Sequence, residues 1–212
     1  FFLLVLVSCS SHKKTGFSTP MIRKHFSASE RTELSKIVSF VDSIVLSANK
    51  FSEIDKAYHY YLDSIYKSRN EGNVNALAFD QKQKYAFMFA LDSALFNKIW
   101  TKSTTSRLIK SNDTTLYNLE NFIDLDLNRN GEFVKMLAGL GVENNYYNEL
   151  SKNIEIAGGF SPSVVARFLN SNHDFDFNNL NNRLWAAIYL LTNEETIEMK
   201  VQRYLKELHS KQ

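Results

Sequence analysis

Cysteine, proline and glycine are all scarce in this chain, which has one Cys, two Pro and seven Gly among 212 residues. A single Cys excludes a disulfide within the chain. Pro and Gly interrupt helices and build the tight turns of short-stranded β folds, so their scarcity favours helices. A strong charge excess is also lacking, because the net charge is only +2. Proteins that bind nucleic acid usually have a concentrated basic face, so we predict no nucleic-acid partner.

The apolar run at residues 1–7 carries no charge. A membrane-spanning helix needs roughly 20 apolar residues, whereas the apolar part of a signal peptide needs only about 7–15. The run is therefore typical of a signal peptide. The alternative interpretation is a buried N-terminal strand followed by an incidental free Cys.

Leu6-Val7-Ser8-Cys9 resembles the lipobox of bacterial lipoproteins, with a small residue just before the Cys. The resemblance implies that the Cys9 thiol carries a diacylglyceryl group and that cleavage occurs before it. Cys9 is the only Cys, and the residues after it are polar. We therefore predict a truncated lipoprotein signal peptide at 1–8, lipid attachment at Cys9 and a polar tether at 9–26. Several acyl chains would make the attachment stable.

The same resemblance implies a location. The residue after Cys9 is Ser10 rather than Asp, which in Gram-negative sorting favours the outer membrane over the inner one. We expect a lipid-anchored protein of the cell envelope, attached to the outer membrane and facing the periplasm. The bilayer, contacted through Cys9, is then one partner.

Residues 27–212 show helical periodicity in almost every segment, and 44% apolar content is sufficient for a hydrophobic core. We predict an all-α fold, an irregular bundle of about eight helices around a single disulfide-free core. The capping box Ser27 to Glu30 begins one helix, and a second is expected at 53–70 with Ser52 as its cap. A third, near 80–100, is expected to be central, and a short one is expected at 116–123. The polar stretch near 101–113 is the candidate boundary between two halves.

Asp126, Asn128, Asn130 and Glu132 resemble the first half of an EF-hand calcium loop, with Gly131 at its turn position. The residue expected to supply a bidentate carboxylate is instead Leu137. Calcium is therefore one hypothesis, and otherwise no cofactor is expected. The alternative is a polar turn between helices in which Asn and Gly adopt the left-handed conformation.

Asp55, His59 and Asp63 are spaced four residues apart, which places them on one face of the second helix. Carboxylate and imidazole groups at this spacing could hold a metal or act as acid and base. The alternative is a solvated face with modest ion pairing. His173 and Asp174 have a weaker metal claim, and Asp176 is interpreted as a helix N-cap.

No nucleophile, phosphate loop or metalloprotease motif is recognisable in the sequence. We therefore predict a non-enzymatic binding or structural module of the envelope, with an unidentified envelope protein or ligand as partner. The alternative function is an envelope hydrolase or metal-dependent enzyme whose acidic residues come from separate helices.

Overall fold

The computed structural model describes residues 19–48, 50–72, 79–104, 108–110, 115–117, 123–193 and 196–209. The predicted all-α class is confirmed, since helices dominate these residues. The helices are α1 (Pro20–His25), α2 (Ala28–Ser47), α3 (Ile54–Asn70), α4 (Gln81–Phe89), α5 (Ser93–Ile99), α6 (Glu132–Leu140), α7 (Asn145–Ala157), α8 (Pro162–Asn170), α9 (Leu180–Thr192) and α10 (Ile197–His209). The strands are β1 (Trp100–Thr104), β2 (Leu108–Lys110), β3 (Thr115–Tyr117) and β4 (Ile123–Leu127).

Local capping chemistry begins several helices where the sequence predicts. The Ser27 hydroxyl accepts from the Glu30 amide, and the Glu30 carboxylate accepts in return from the Ser27 amide at 2.8 Å. Ser161 caps α8, with Pro162 as its first residue. The predicted cap Ser52 is wrong, because Glu53 precedes α3 and makes no side-chain cap. Asn179 rather than Asp176 caps α9.

The centre of the bundle is α9 rather than the predicted third helix. Every residue from Leu184 to Thr192 is buried, so this helix is enclosed on all sides after its first turn. It packs against α2 and β4, and its Thr192 hydroxyl accepts a hydrogen bond of 2.8 Å from the Trp100 indole. One hydrophobic cluster includes residues from both sides of the 101–113 segment.

The predicted third helix is interrupted, and a strand pair follows it. The chain turns at Ala90–Asp92, where the Asp92 carboxylate caps α5. Residue Trp100 then begins β1, which pairs antiparallel with β4. The short helix predicted at 116–123 is wrong, because Leu116 lies in β3 and Ile123 in β4. Strand β4 alternates apolar and acidic residues, which suits one buried face.

The predicted tether at 9–26 is too long at its C-terminal end. Residues Pro20–His25 form α1, which is capped by Thr19 and packs against α6. Ile22 and Phe26 are buried in the hydrophobic core. The apolar run and Cys9 lie outside the described residues. None of the helices in the described ranges is long and apolar enough to cross a membrane.

Candidate functional site

The predicted row Asp55, His59 and Asp63 lies along α3 and faces residues 172–177, which connect α8 to α9. The His59 ring stacks on the His173 ring, with the ring centres 4.7 Å apart. The Asp63 carboxylate is 3.0 Å from His173 Nε2, and the Asp55 carboxylate is 3.5 Å from His59 Nε2. Two candidate groups that are distant in the sequence therefore meet in the fold.

Asn172 organises this cluster. Its side chain is buried, and its amide nitrogen donates to the Asp63 carboxylate at 2.8 Å and to the Leu169 carbonyl at 2.9 Å. Its amide oxygen must then accept, so His59 Nδ1, 3.0 Å away, carries the proton. The Asp55 carboxylate also accepts from the Phe177 amide at 2.7 Å.

These contacts change the interpretation of the α3 face. The alternative interpretation, a solvated face, is wrong for the middle of the row, because the His59 side chain is only 16% exposed. The hydrogen bonds hold the connection between α8 and α9 against α3, which is a structural role. A metal or acid–base role for Asp55, His59 and Asp63 stays a prediction. Among the residues with described positions, no group of three or more His, Cys, Asp or Glu side chains is arranged to hold a metal.

The calcium-loop candidates are distributed over a strand, a turn and a helix. Asp126 lies in β4, and the Asn128 side chain accepts from the Asn130 amide at 3.1 Å. The Glu132 carboxylate contacts His25 at 2.9 Å and Lys135 at 2.7 Å. Hydrogen bonds from these two side chains, Lys135 first, lower the pKa of Glu132. Calcium binding at this loop stays a hypothesis, and its Glu132 ligand already has two side-chain partners, of which Lys135 is a cation.

Gly131 does not adopt the left-handed conformation expected of a polar turn, since its φ is −75°. Its requirement is steric. A Cβ added there would lie 2.3 Å from the Lys98 carbonyl oxygen, so the start of α6 approaches the end of α5 too closely for a side chain. Packing of two helices explains the Gly without a bound ion.

A cleft that the sequence did not predict lies between the C-terminal turn of α3, the outer face of α8 and the end of α9. Its larger part has a volume of 310 Å³ and an adjoining part has 210 Å³. Both parts are lined by Phe160 and Val165. Arg69 lines the larger part, and Asp126 lines the other. Small-molecule pockets are typically about 300–1,000 Å³, so the cleft is of suitable size.

Hydrogen-bond donors without partners are concentrated at this cleft. They are Arg69 Nε, the Tyr189 hydroxyl and Asn193 Nδ2, and they account for three of the five buried side-chain donors without a partner in the described residues. Arg69 Nη2 donates to Asn193 Oδ1 at 3.0 Å, which joins two of these side chains. Buried donors are nearly always hydrogen-bonded, so three unpaired ones together require an explanation.

Tyr189 lies on the cleft wall and is only 1% exposed. Burial raises the pKa of Tyr189, and the nearby positive charge of Arg69 opposes this shift. The hydroxyl therefore stays protonated and serves as a donor at neutral pH. Phe160, 5.6 Å from it between ring centres, and Phe168 at 4.7 Å fix the ring in place.

The residues at the cleft carry no recognisable sequence motif. In the sequence, Arg69 looks like a cation that stabilises the C-terminal end of α3. Tyr189 looks like one more buried residue of α9. Comparison with protein-family models, with curated proteins and with solved structures finds no match for this chain. Any function assigned to the cleft therefore rests on its own geometry and chemistry.

Proposed function

We propose that this protein is a non-enzymatic binding module of the cell envelope, anchored by lipid at Cys9 and facing the periplasm, which binds a small ligand in the cleft. The observation that carries the proposal is the group of three unpaired buried donors, on Arg69, Tyr189 and Asn193, beside a cavity with apolar walls. Ligand sites commonly combine apolar walls with a few convergent polar groups. A ligand that accepts hydrogen bonds would satisfy these donors.

The anchor is supported by the sequence alone. The lipobox-like segment ends in the only Cys of the chain. Cys9→Ser should abolish incorporation of labelled palmitate and move the protein from the membrane to the soluble fraction. Unchanged membrane association of this variant would refute the anchor.

The binding site is tested by filling the cleft. Thermal unfolding of the full chain is followed with a panel of small carboxylates, amides, sugars and phosphate esters. A ligand at 100 times its Kd stabilises a protein by about 2.7 kcal/mol, which for this chain length raises the Tm by roughly 5–11 °C. Val165→Trp, which places a large side chain in both parts of the cleft, should abolish this shift.

Ile156→Trp is the matched control, because Ile156 is 85% exposed on α7 and is not a cleft residue. It should retain the full shift. If Val165→Trp lowers the helix content, Ala166→Leu provides a smaller obstruction of the same cavity. A compound that stabilises the Val165→Trp variant as much as the unaltered chain binds elsewhere. That result, obtained for every stabilising compound, would refute binding in the cleft.

A further inference from the structure

We propose that the ligand is a singly charged carboxylate on a compact apolar body, with its head at Arg69, Tyr189 and Asn193. This inference rests on the proposed function and specifies the class of ligand. The unpaired nitrogens of Arg69 and Asn193 can only donate and the Tyr189 hydroxyl can also donate, so a group that accepts hydrogen bonds is complementary to all three. A carboxylate accepts several bonds at once and matches the planar donor fork of Arg.

The charge of Arg69 favours an anion over a neutral acceptor. Arg69 has no carboxylate partner in the described part of the chain, and its only side-chain hydrogen bond there is to the neutral Asn193. A positive charge close to buried atoms is stabilised by an opposite charge in the same low-dielectric region. Arg69 is therefore a cation at the cleft, and a negatively charged ligand would neutralise it.

The other residues that line the larger part of the cleft favour a ligand with an apolar body. Phe160, Pro162, Val165 and Leu169 present apolar surface along the larger part of the cleft. A volume of 310 Å³ lies at the lower end of the range of small-molecule pockets. A phenyl ring or a short alkyl chain suits a small site with these apolar walls.

Asp126 limits the charge of the ligand. Its side chain lines the adjoining part of the cleft beside Phe160 and Val165. Its carboxylate would repel any anion in the cleft, and it would repel a doubly charged group about twice as strongly as a singly charged one. The cleft should therefore prefer a monocarboxylate to a dicarboxylate or to a phosphate ester, which carries close to two charges at neutral pH.

Arg69 and Asn193 are only partly buried, so small rotations can present their inner N–H groups to the cleft. Side-chain rotations of this kind commonly accompany binding. Tyr189 lines the adjoining part of the cleft, and its hydroxyl can donate without a change of ionisation, because burial keeps its pKa high.

Three probes that share a phenyl ring test the proposal by calorimetric titration of the full chain. They are phenylacetate, its neutral amide phenylacetamide, and phenyl phosphate. The charge-assisted hydrogen bond to Arg69 predicts that phenylacetate binds about ten- to a hundredfold more tightly than phenylacetamide. Phenyl phosphate should bind more weakly than phenylacetate.

Substitutions test whether the Arg69 and Tyr189 side chains cause the preference for the acid over the amide. Arg69→Gln should remove most of the difference between acid and amide, and Tyr189→Phe should weaken the acid by about two- to tenfold. Arg167→Gln is the matched control, because Arg167 lies on α8 but pairs with Glu149, away from the cleft. It should leave both affinities unchanged.

The outcomes separate this inference from the proposed function. Equal binding of acid and amide, with both abolished by Val165→Trp, would overturn the carboxylate preference and leave the cleft as a binding site. Tighter binding of phenyl phosphate would overturn the preference for one charge. Binding by none of the three probes would overturn the ligand class, and the proposed function would then be decided by the cleft-filling experiment.

Discussion

Replacing Tyr189 by Phe should leave the protein at least as stable as before, although Tyr189 is 1% exposed. Phe keeps the ring, so the contact with Phe168 at 4.7 Å remains. Only the hydroxyl is lost, and within the described residues this hydroxyl has no hydrogen-bond partner. An unpaired buried polar group costs about 1–3 kcal/mol, so its removal is neutral or increases the free energy of unfolding by about 1 kcal/mol.

Tyr58→Phe is the matched comparison, because Tyr58 is equally buried but its hydroxyl donates to the Asp42 carboxylate at 2.8 Å. A hydrogen bond to a charged group contributes about 1.5–3 kcal/mol. The two variants should therefore differ by about 3 kcal/mol, which corresponds to roughly 6–12 °C in Tm for a chain of this length.

The pH dependence adds a second criterion for Tyr58→Phe. Burial raises the pKa of Asp42 above its ordinary 3.8, while the bond from Tyr58 and the charge of Arg183 oppose the shift. Because the folded pKa is the higher one, the ionised carboxylate destabilises the fold, and this effect disappears as the pH falls through that pKa. The deficit of Tyr58→Phe should thus shrink towards acidic pH.

Urea unfolding followed by circular dichroism measures both variants under the same conditions. The reasoning predicts a midpoint for Tyr189→Phe at or above that of the unaltered chain, and a clearly lower midpoint for Tyr58→Phe. If Tyr189→Phe were destabilised as much as Tyr58→Phe, its hydroxyl would have a partner. The cleft would then lose one of its three donors.

Three further predictions concern stability. Asn172→Ala should cost about 2–4 kcal/mol because three hydrogen bonds are lost, whereas Asn153→Ala, on the exposed side of α7, should be nearly neutral in urea unfolding. Gly131→Ala should cost about 1–3 kcal/mol because of the Lys98 carbonyl, while Gly159→Ala, whose nearest neighbour is 3.7 Å away, should cost much less. Unfolding at alkaline pH should occur over a narrow pH range. The buried tyrosines keep their protons in the folded protein, whereas the same tyrosines ionise above pH 10 in the unfolded chain. Stability should thus fall by about 7 kcal/mol near pH ~11, and phenolate absorbance from more than half of the ten tyrosines before unfolding would contradict this. The tyrosines with raised pKa are Tyr58, Tyr61, Tyr146, Tyr147 and Tyr189.

The features predicted correctly from the sequence are those set by neighbouring residues. The capping box at Ser27 and the cap and Pro at Ser161-Pro162 determine helix starts through contacts three residues away or fewer. The β1–β4 pair was missed because it joins Thr101 to Asp126, and nothing near either residue specifies the partner. The alternation of Ile123 to Leu127 was a usable signal, but its Asp residues also fitted a calcium loop.

The row on α3 illustrates the same limit for a site. Helical spacing correctly placed Asp55, His59 and Asp63 on one face, since that requires only the helix period. What covers the face could not be predicted, because Asn172 and His173 are more than 100 positions away in the chain. The solvated face was therefore a reasonable prediction from the sequence, and tertiary packing made it wrong.

The two ends of α3 differ in how its polar groups are used, and this difference supports placing the function at the cleft. Towards the N-terminal end, Asp55, His59 and Asp63 all form hydrogen bonds with the segment that follows α8. These bonds stabilise the fold. At the C-terminal end, Arg69 has one neutral partner and keeps a buried N–H group unpaired. A folded protein tolerates such a donor only against a cost in stability, and Tyr189 and Asn193 add to that cost at the same place. The C-terminal end of α3 therefore differs from the N-terminal end in leaving buried donors unsatisfied, and a ligand in the cleft would satisfy them.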